Sequence, residues 1–171
     1  AVSFGKWKFD GDADGLYTEY AEDAPKQTSY TYALDGLFVG DQPQTAYVLG
    51  TTLTPMDGLR LQGIFKMYDK NYADWSPDSR ELSGDADRSQ VWQAPAYNRL
   101  DLHAAYKLPK IAGYDMTLTG HLFNALDAVY VQDAVDNSQY NGFGDKLHLA
   151  HNAEVFLGTP RYFNLGLTVN F

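Results

Sequence analysis

The sequence predicts an all-β protein whose strands form an antiparallel transmembrane β-barrel. Three observations support this prediction: apolar and polar residues alternate in six segments, short and long connections alternate strictly, and acidic residues concentrate in the long connections. No stretch approaches the ~18 consecutive apolar residues of a membrane-crossing helix. The chain has 171 residues, a net charge of −9 and no cysteine, which is the length of one domain.

The six segments alternate with a period of two, which is typical of strands whose two faces have different surroundings. Each is close to the ~9–11 residues of a tilted membrane strand. The segments are residues 1–9, 44–54, 59–70, 97–107, 114–124 and 161–171. In the last segment, Phe163, Leu165, Leu167 and Val169 are predicted to face lipid, with Asn164, Thr168 and Asn170 on the opposite face.

The connections also favour a membrane barrel. Two of them are tight, at 54–58 and 108–113, and three are long, at 10–43, 73–95 and 125–160. Outer-membrane barrels have short periplasmic turns and long extracellular loops, whereas loops beyond ~15 residues are uncommon in compact soluble domains. The long connections hold 18 of the 22 acidic residues and 4 of the 13 basic ones, and therefore carry a charge of −14.

Six strands do not complete a bacterial barrel, whose smallest members have eight. A six-stranded sheet would leave two unpaired edges in lipid, which is not viable. Either the connection 10–43, in which residues 29–34 alternate, supplies two more strands, or the chain is part of a larger barrel. A soluble two-sheet sandwich is the alternative fold, since it also places polar residues on its wet faces.

The polar sides of the strands give the residues predicted to face the barrel lumen. They are expected to hydrate the interior and form a polar network rather than to act as ligands. These residues are Arg60, Lys66, Arg99, Asp101, His103 and His121.

One acidic stretch resembles the beginning of a calcium loop. Asp10, Asp12 and Asp14 occupy positions one, three and five, with glycine at position six. Position twelve, where a complete loop has glutamate, is Ala21, and Glu22 follows one residue late. The stretch is therefore predicted to be either an extracellular calcium site or an acidic, solvated loop tip.

A second candidate metal set is the stretch 148–154. His148, His151 and Glu154 are three residues apart and would share a face if this stretch were helical. An irregular loop does not preserve that spacing, and the sequence favours the loop.

Three stretches resemble the last strands of TonB-dependent outer-membrane receptors: "PAYNRLDLHAAYKL" (95–108), "LTGHLFNALDAVYV" (118–131) and "GTPRYFNLGLTVNF" (158–171). The second contains that family's pattern before the final loop, at Asn124, Leu126, Asp127 and Tyr130. The third contains the barrel C-terminal signature, at Gly158, Pro160, Arg161 and Phe171. The stretch 39–77 is similar to an earlier hairpin of such receptors from Bacteroidota.

This resemblance implies that residues 1–171 are the C-terminal segment of a 22-stranded barrel whose plug domain is absent from this chain. It implies uptake of a scarce ligand (a siderophore, glycan, peptide or cofactor) across the outer membrane of a Gram-negative bacterium. The implied partners are the rest of the barrel and its plug, the TonB–ExbB–ExbD system, the barrel assembly machinery, membrane lipid and lipopolysaccharide, and a surface lipoprotein.

Two other functions compete with transport. A complete eight-stranded barrel would have a structural or adhesive role, and a barrel lipase or protease would need a catalytic site. No nucleophile and base have a spacing that favours catalysis, so the sequence predicts that the protein is not an enzyme. It predicts no cofactor other than calcium, and the charge of −9 argues against nucleic acid as a partner.

Overall fold

The computed structural model describes residues 1–20, 24–75, 80, 87–110, 113–138 and 147–170. No helix in these ranges is long and apolar enough to cross a membrane. The described strands are β1 (Val2–Phe4), β2 (Ala13–Tyr20), β3 (Pro25–Tyr32), β4 (Thr45–Met56), β5 (Leu59–Asp69), β6 (Asn71–Tyr72), β7 (Asp74–Trp75), β8 (Gln93–Ala94), β9 (Tyr97–Lys107), β10 (Asp115–Phe123), β11 (Val131–Asp136), β12 (Ala153–Leu157) and β13 (Tyr162–Asn170). A 3-10 helix spans Ala150–Asn152.

Six of these strands form one sheet in the order β1-β4-β5-β9-β10-β13. Every pair in it is antiparallel, which confirms the all-β, antiparallel prediction. Within the described residues the sheet is open, with β1 and β13 at its edges. No closed barrel is therefore found in this part of the chain.

The first strand is shorter than its alternating segment, which extended to residue 9, because Gln44 takes over the pairing. The backbone N–H of Gly5 donates to the Gln44 carbonyl. The side chain of Gln44, which is buried, accepts from the Trp7 N–H at 3.0 Å and donates to the Trp7 carbonyl at 2.9 Å. A side-chain amide thus satisfies the backbone groups that a strand partner would otherwise satisfy.

The long connections contain short strands of their own. β2 and β3 form a hairpin that the alternation of residues 29–34 predicted in part, but they pair with each other and do not join the main sheet. β11 pairs with β12 and, in parallel, with β7. The eight-stranded arrangement in which the connection 10–43 extends the sheet is therefore not found in the described residues.

Alternation sorts the main sheet into an apolar and a polar face. Because directly opposed residues share a face, the pairs Leu53↔Leu61, Leu102↔Leu122 and Leu118↔Leu167 extend the apolar face across the strands. Many large side chains of this face are exposed, with Leu49 72%, Phe163 72% and Leu165 73% accessible, whereas Leu59, Leu100 and Leu122 are half-buried.

The buried apolar cluster is made of residues that do not belong to the main sheet. It consists of Leu34, Leu37, Tyr72, Trp75 and Val91, with Phe9, Tyr32 and Phe38 packed against it. Phe9 lies directly before the connection 10–43, and the other residues belong to the long connections and their short strands. The core of the described protein therefore holds the connections together, and the apolar face of the main sheet is left uncovered by this part of the chain.

Candidate functional site: the polar face and its rim

A row of polar side chains crosses five adjacent strands of the main sheet. The register opposes Thr52 to Gln62, Gln62 to His103, His103 to His121, and His121 to Asn164. Gln62 donates to the Thr52 hydroxyl at 3.3 Å, and the two histidine Nδ1 atoms are 2.8 Å apart. Correct alternation on every strand is what aligns these residues, because a one-residue slip would move a strand's side chain to the other face.

The row borders a recess of about 460 Å³ on the polar face. Arg60, Ala105 and Phe123 line it together with Gln62, the two histidines and Asn164. The Phe123 ring meets His103 edge-on at 5.4 Å between centroids and stacks on Tyr162 at 4.7 Å. The recess thus has an aromatic wall, two imidazoles and one guanidinium.

Asp101 is the buried anion of the polar face, with 2% of its surface accessible. Its Oδ2 accepts from the Lys66 ammonium at 3.0 Å, and its Oδ1 accepts from the Arg99 guanidinium at 3.4 Å. Oδ1 also accepts from the Asn124 backbone N–H at 3.0 Å. A buried carboxylate requires such partners because its transfer from water costs several kcal/mol.

Asn124 and Asp127 form a rim at the end of β10. Both have positive φ values, 48° and 53°, a conformation that Asn and Asp tolerate better than most residues. The Asn124 amide accepts from the Ala128 N–H and donates to the carbonyls of Ala128 and Thr159. The Asp127 carboxylate accepts from the backbone N–H of Arg161 at 3.2 Å and pairs with its guanidinium at 3.3 Å.

Tyr130 and Gly158 complete this rim. The Gly158 N–H donates to the Tyr130 carbonyl at 2.9 Å, and a Cβ at Gly158 would lie 1.9 Å from the Tyr130 ring. The Tyr130 hydroxyl accepts from Arg99 at 3.1 Å, which connects the rim to the Asp101 cluster. Two of the stretches on which the family resemblance rests therefore bind each other directly, at residues 124–130 and 158–161.

The predicted polar residues are brought together only in part. Lys66, Arg99 and Asp101 form one cluster, His103 and His121 form a pair, and Arg60 borders the recess. All six lie on the polar face; that this face lines a lumen stays a prediction. In the C-terminal signature, Gly158 and Arg161 make the rim contacts above, Pro160 is exposed, and Phe171 lies outside the described residues.

The acidic stretch near the N-terminus has protein partners. Asp12 accepts from the Arg88 guanidinium at 2.8 and 2.7 Å and from the N–H groups of Leu34 and Asp35. These bonds, that of Arg88 first, hold the pKa of Asp12 well below its usual range. Asp14 accepts from the Thr31 hydroxyl at 2.7 Å. Calcium would have to compete with Arg88 for Asp12.

Asp10 is exposed, whereas Ala21 and Glu22 lie outside the described residues. No group of three histidine, cysteine, aspartate or glutamate side chains in the described ranges is arranged to hold a metal ion. The calcium site stays a prediction.

A network of hydrogen bonds, which residue spacing in the sequence did not predict, links the long connections. His148 lies between two carboxylates, with Nε2 2.6 Å from Asp87 and Nδ1 hydrogen-bonded to Asp136. Arg80, fully buried, donates to the carbonyls of Asp87 and Ser89 at 2.9 Å, and its own carbonyl accepts from Ala33. The sequence offered no signal for a buried arginine in an acidic loop.

The same network shifts two pKa values. Burial lowers the pKa of Arg80, with the charges of Asp87 and Asp136 opposing it. Partial burial alone would raise the pKa of Asp87, but hydrogen bonds from Ser89 and His148 lower it to about 2. In the stretch 148–154, Glu154 instead accepts from the Asn137 amide at 3.2 Å, so it does not share a site with His148.

Asp41 interacts with two aspartates from other segments, Asp74 and Asp133. Partial removal from water, the charge of Asp74, and a hydrogen bond and charge from Asp133 raise the pKa of Asp41 to about 6. Asp41 has a φ of 62° and its backbone N–H donates to the Tyr72 carbonyl at 3.2 Å. Like charges held this close favour retention of a proton.

Comparison of the chain with family models, with curated proteins and with solved structures found no match.

We expect Asp101→Asn to lower the free energy of unfolding by about 3–5 kcal/mol, because it leaves two cations beside a neutral amide in a buried site. The matched control is Asp115→Asn, since Asp115 pairs with Lys107 and Lys110 at 3.8 and 3.4 Å in a more exposed position. The Asp115→Asn substitution should lower the free energy of unfolding by at most about 1 kcal/mol. Urea unfolding of the purified protein measures both, and equal costs would contradict the assignment of Asp101 as the central anion.

We expect Asp41→Asn to stabilise the protein at pH 8 and to have little effect at pH 4. The folded chain retains a proton at Asp41 up to about pH 6, whereas an unfolded aspartate loses it near 3.9. The contribution of this residue to stability therefore falls as pH rises from about 4 to 6.

Thermal unfolding of wild type and variant at pH 4 and pH 8 measures this difference. Asp57→Asn, in the tight turn after β4, is the control for removal of one negative charge. An Asp41→Asn effect that is the same at both pH values would show that Asp41 retains no extra proton on folding.

Proposed function

We propose that the chain is the C-terminal part of a TonB-dependent outer-membrane receptor, and that its six-stranded sheet forms part of the barrel wall. The observation that carries this proposal is the exposure of the apolar face. On the central strands β5 and β9, Leu61, Phe65 and Leu102 are exposed, whereas His103 is half-buried and Asp101 is buried. A soluble sandwich buries its apolar face; a membrane barrel presents that face to lipid.

Strand length supports the same placement. β5 and β9 have eleven residues each, which at ~3.4 Å per residue gives about 37 Å of strand. Tilted by ~45°, such a strand spans about 26 Å along the membrane normal, close to the ~25 Å apolar band of outer-membrane barrels. The tight turns 54–58 and 108–113 would lie on the periplasmic side, and the acidic connections would lie outside.

The open edges favour a large barrel over a small one. β1 and β13 each have a single neighbour in the described sheet, and an unpaired edge in lipid leaves backbone groups unsatisfied. The β2–β3 hairpin pairs only with itself, which argues against the complete eight-stranded barrel with a structural or adhesive role. The remaining strands of a 22-stranded barrel would satisfy both edges.

In this proposal the protein takes up a scarce ligand across the outer membrane of a Gram-negative, Bacteroidota-like bacterium. Ligand uptake would require the plug and the TonB–ExbB–ExbD system, and insertion would require the barrel assembly machinery. The polar face would line the lumen. The long connections, which Arg80 and His148 link by hydrogen bonds, would face lipopolysaccharide and a surface lipoprotein.

We expect Leu167→Arg to cost about 2–4 kcal/mol of folding stability in a bilayer, because it places a cation in hydrocarbon. Thr168→Arg is the matched control: it adds the same side chain one residue later, on the polar face, and should be largely tolerated. Urea titration of the full-length receptor carrying either substitution, folded into lipid vesicles, measures the difference.

If the apolar face is in water, Leu167→Arg replaces an exposed leucine and should cost little folding stability. Equal costs for the two substitutions would therefore overturn the membrane placement. A larger cost for Thr168→Arg would mean that the face of Thr168, and not that of Leu167, is the one removed from water, and would overturn the assignment of the two faces.

A further inference from the structure

The connection 125–160 is attached to the connection 73–95 through His148. Both ring nitrogens of His148 face carboxylate oxygens: Nε2 is 2.6 Å from Oδ2 of Asp87, and Nδ1 is hydrogen-bonded to Oδ2 of Asp136. An ionised carboxylate only accepts hydrogen bonds, and an imidazole donates from both nitrogens only when it carries its second proton. The geometry therefore fits an imidazolium between two aspartates.

Loss of that proton would upset a balance of charges. Within the described residues, Arg80, Asp87 and Asp136 are the charged groups that face His148, and the Arg80 Nη2 is 3.5 Å from its Nδ1. Two cations then face two anions, whereas a neutral imidazole leaves one cation with two anions and one carboxylate without a donor. The side chains of His148 and Asp136 are only 10% and 4% accessible, so water does not readily replace the lost hydrogen bond.

A second group that holds a proton attaches the connection 125–160 to the connection 10–43. Asp41 is hydrogen-bonded to Asp133, and Asp74 adds a like charge. Partial burial and then these neighbours raise the pKa of Asp41 to about 6. Two carboxyl groups share a hydrogen bond only while one of them is protonated. A rise in pH therefore replaces this bond with repulsion between like charges.

The connections 10–43 and 73–95 are joined to each other by contacts that do not need these protons. Arg88 binds both carboxylate oxygens of Asp12 at 2.8 and 2.7 Å, and the Ala33 N–H donates to the Arg80 carbonyl at 2.8 Å. Arg88 holds the pKa of Asp12 well below its usual range, so that this pair stays charged in neutral and mildly acidic solution. A rise in pH should therefore loosen the third connection and leave the first two joined.

We propose that pH controls the attachment of the connection 125–160, through its residues 131–138 and 147–157, to the other two long connections. In mildly acidic solution it is held against them, and as pH rises the protons of His148 and Asp41 leave for solvent and it detaches. The long connections together carry a charge of −14, which opposes their packing once those protons are lost. The inference concerns the connections alone and does not require that the main sheet lie in a membrane.

Hydrogen–deuterium exchange of the purified full-length protein at pH 5 and pH 8, corrected for the intrinsic exchange rate, tests this proposal. These values lie on either side of the pH near 6.5 at which an imidazole in water loses its second proton. Peptides from 131–138 and 147–157 should exchange at least tenfold faster at pH 8. Peptides that contain Ala33, and those from β5 and β9, should exchange at the same corrected rate at both pH values.

Two substitutions separate the titrating groups. His148→Gln cannot donate to both aspartates, because the donors of a glutamine amide lie on one nitrogen, so residues 147–157 should exchange rapidly at both pH values. Asp41→Asn keeps a donor at this position at every pH and should slow the exchange of residues 131–138 at pH 8. His121→Gln, which removes a histidine of the main sheet, should keep the wild-type response.

The wild-type comparison decides the proposal without any variant. Equal corrected rates at pH 5 and pH 8 for residues 131–138 and 147–157 overturn it. A His148→Gln variant that keeps the wild-type pH response also overturns it, provided that native exchange in β5 and β9 shows that the variant is folded. Loss of protection at Ala33 at pH 8 would show that all three connections loosen together, and would overturn the separate attachment of the last one.

Discussion

The arrangement of the protein depends on register between antiparallel strands. Opposed residues share a face only while each strand keeps its period of two, and a slip of one residue exchanges the faces of that strand. Five strands hold this register from Thr52 to Asn164, so polar groups far apart in sequence form one continuous row. The exposed apolar face and the imidazole pair are both products of that alignment.

The buried charge of Asp101 joins the sheet to its rim. Its carboxylate binds Lys66 on one neighbouring strand and the Asn124 N–H after the other, and Arg99 extends the cluster to Tyr130. Ion pairs cost desolvation and rarely stabilise by themselves, but they are geometrically demanding. This cluster therefore fixes where β10 ends and how the next connection departs, and Gly158 then allows Tyr130 to lie against the start of the final segment.

Patterns within single segments predicted most of the main sheet. Five of the six alternating segments are strands over nearly their whole length, because a period of two is dictated by local backbone geometry. The remaining segment, residues 1–9, is a strand only as far as Phe4, because Gln44, 40 residues later in the chain, replaces the strand partner beyond that point. The same limit applies to Asp12, because its spacing from Asp10 and Asp14 gave no sign that both of its carboxylate oxygens bind Arg88, 76 residues away.

The sequence by itself determined the all-β class, five of the six strands over nearly their whole length, the two faces of the main sheet and the tight turn between β4 and β5, because each depends on residues a few positions apart. Only the tertiary structure shows that His103 contacts His121, that Asp101 is buried, and that Arg80 and His148 link the long connections by hydrogen bonds. The contacts of His103 with His121, of Asp101 with Lys66 and of Arg80 with His148 join residues 18, 35 and 68 positions apart in the chain, and periodicity contains no information about such long-range contacts. The openness of the sheet was decided in the same way, since β1 and β13 acquire only one neighbour each in the described chain.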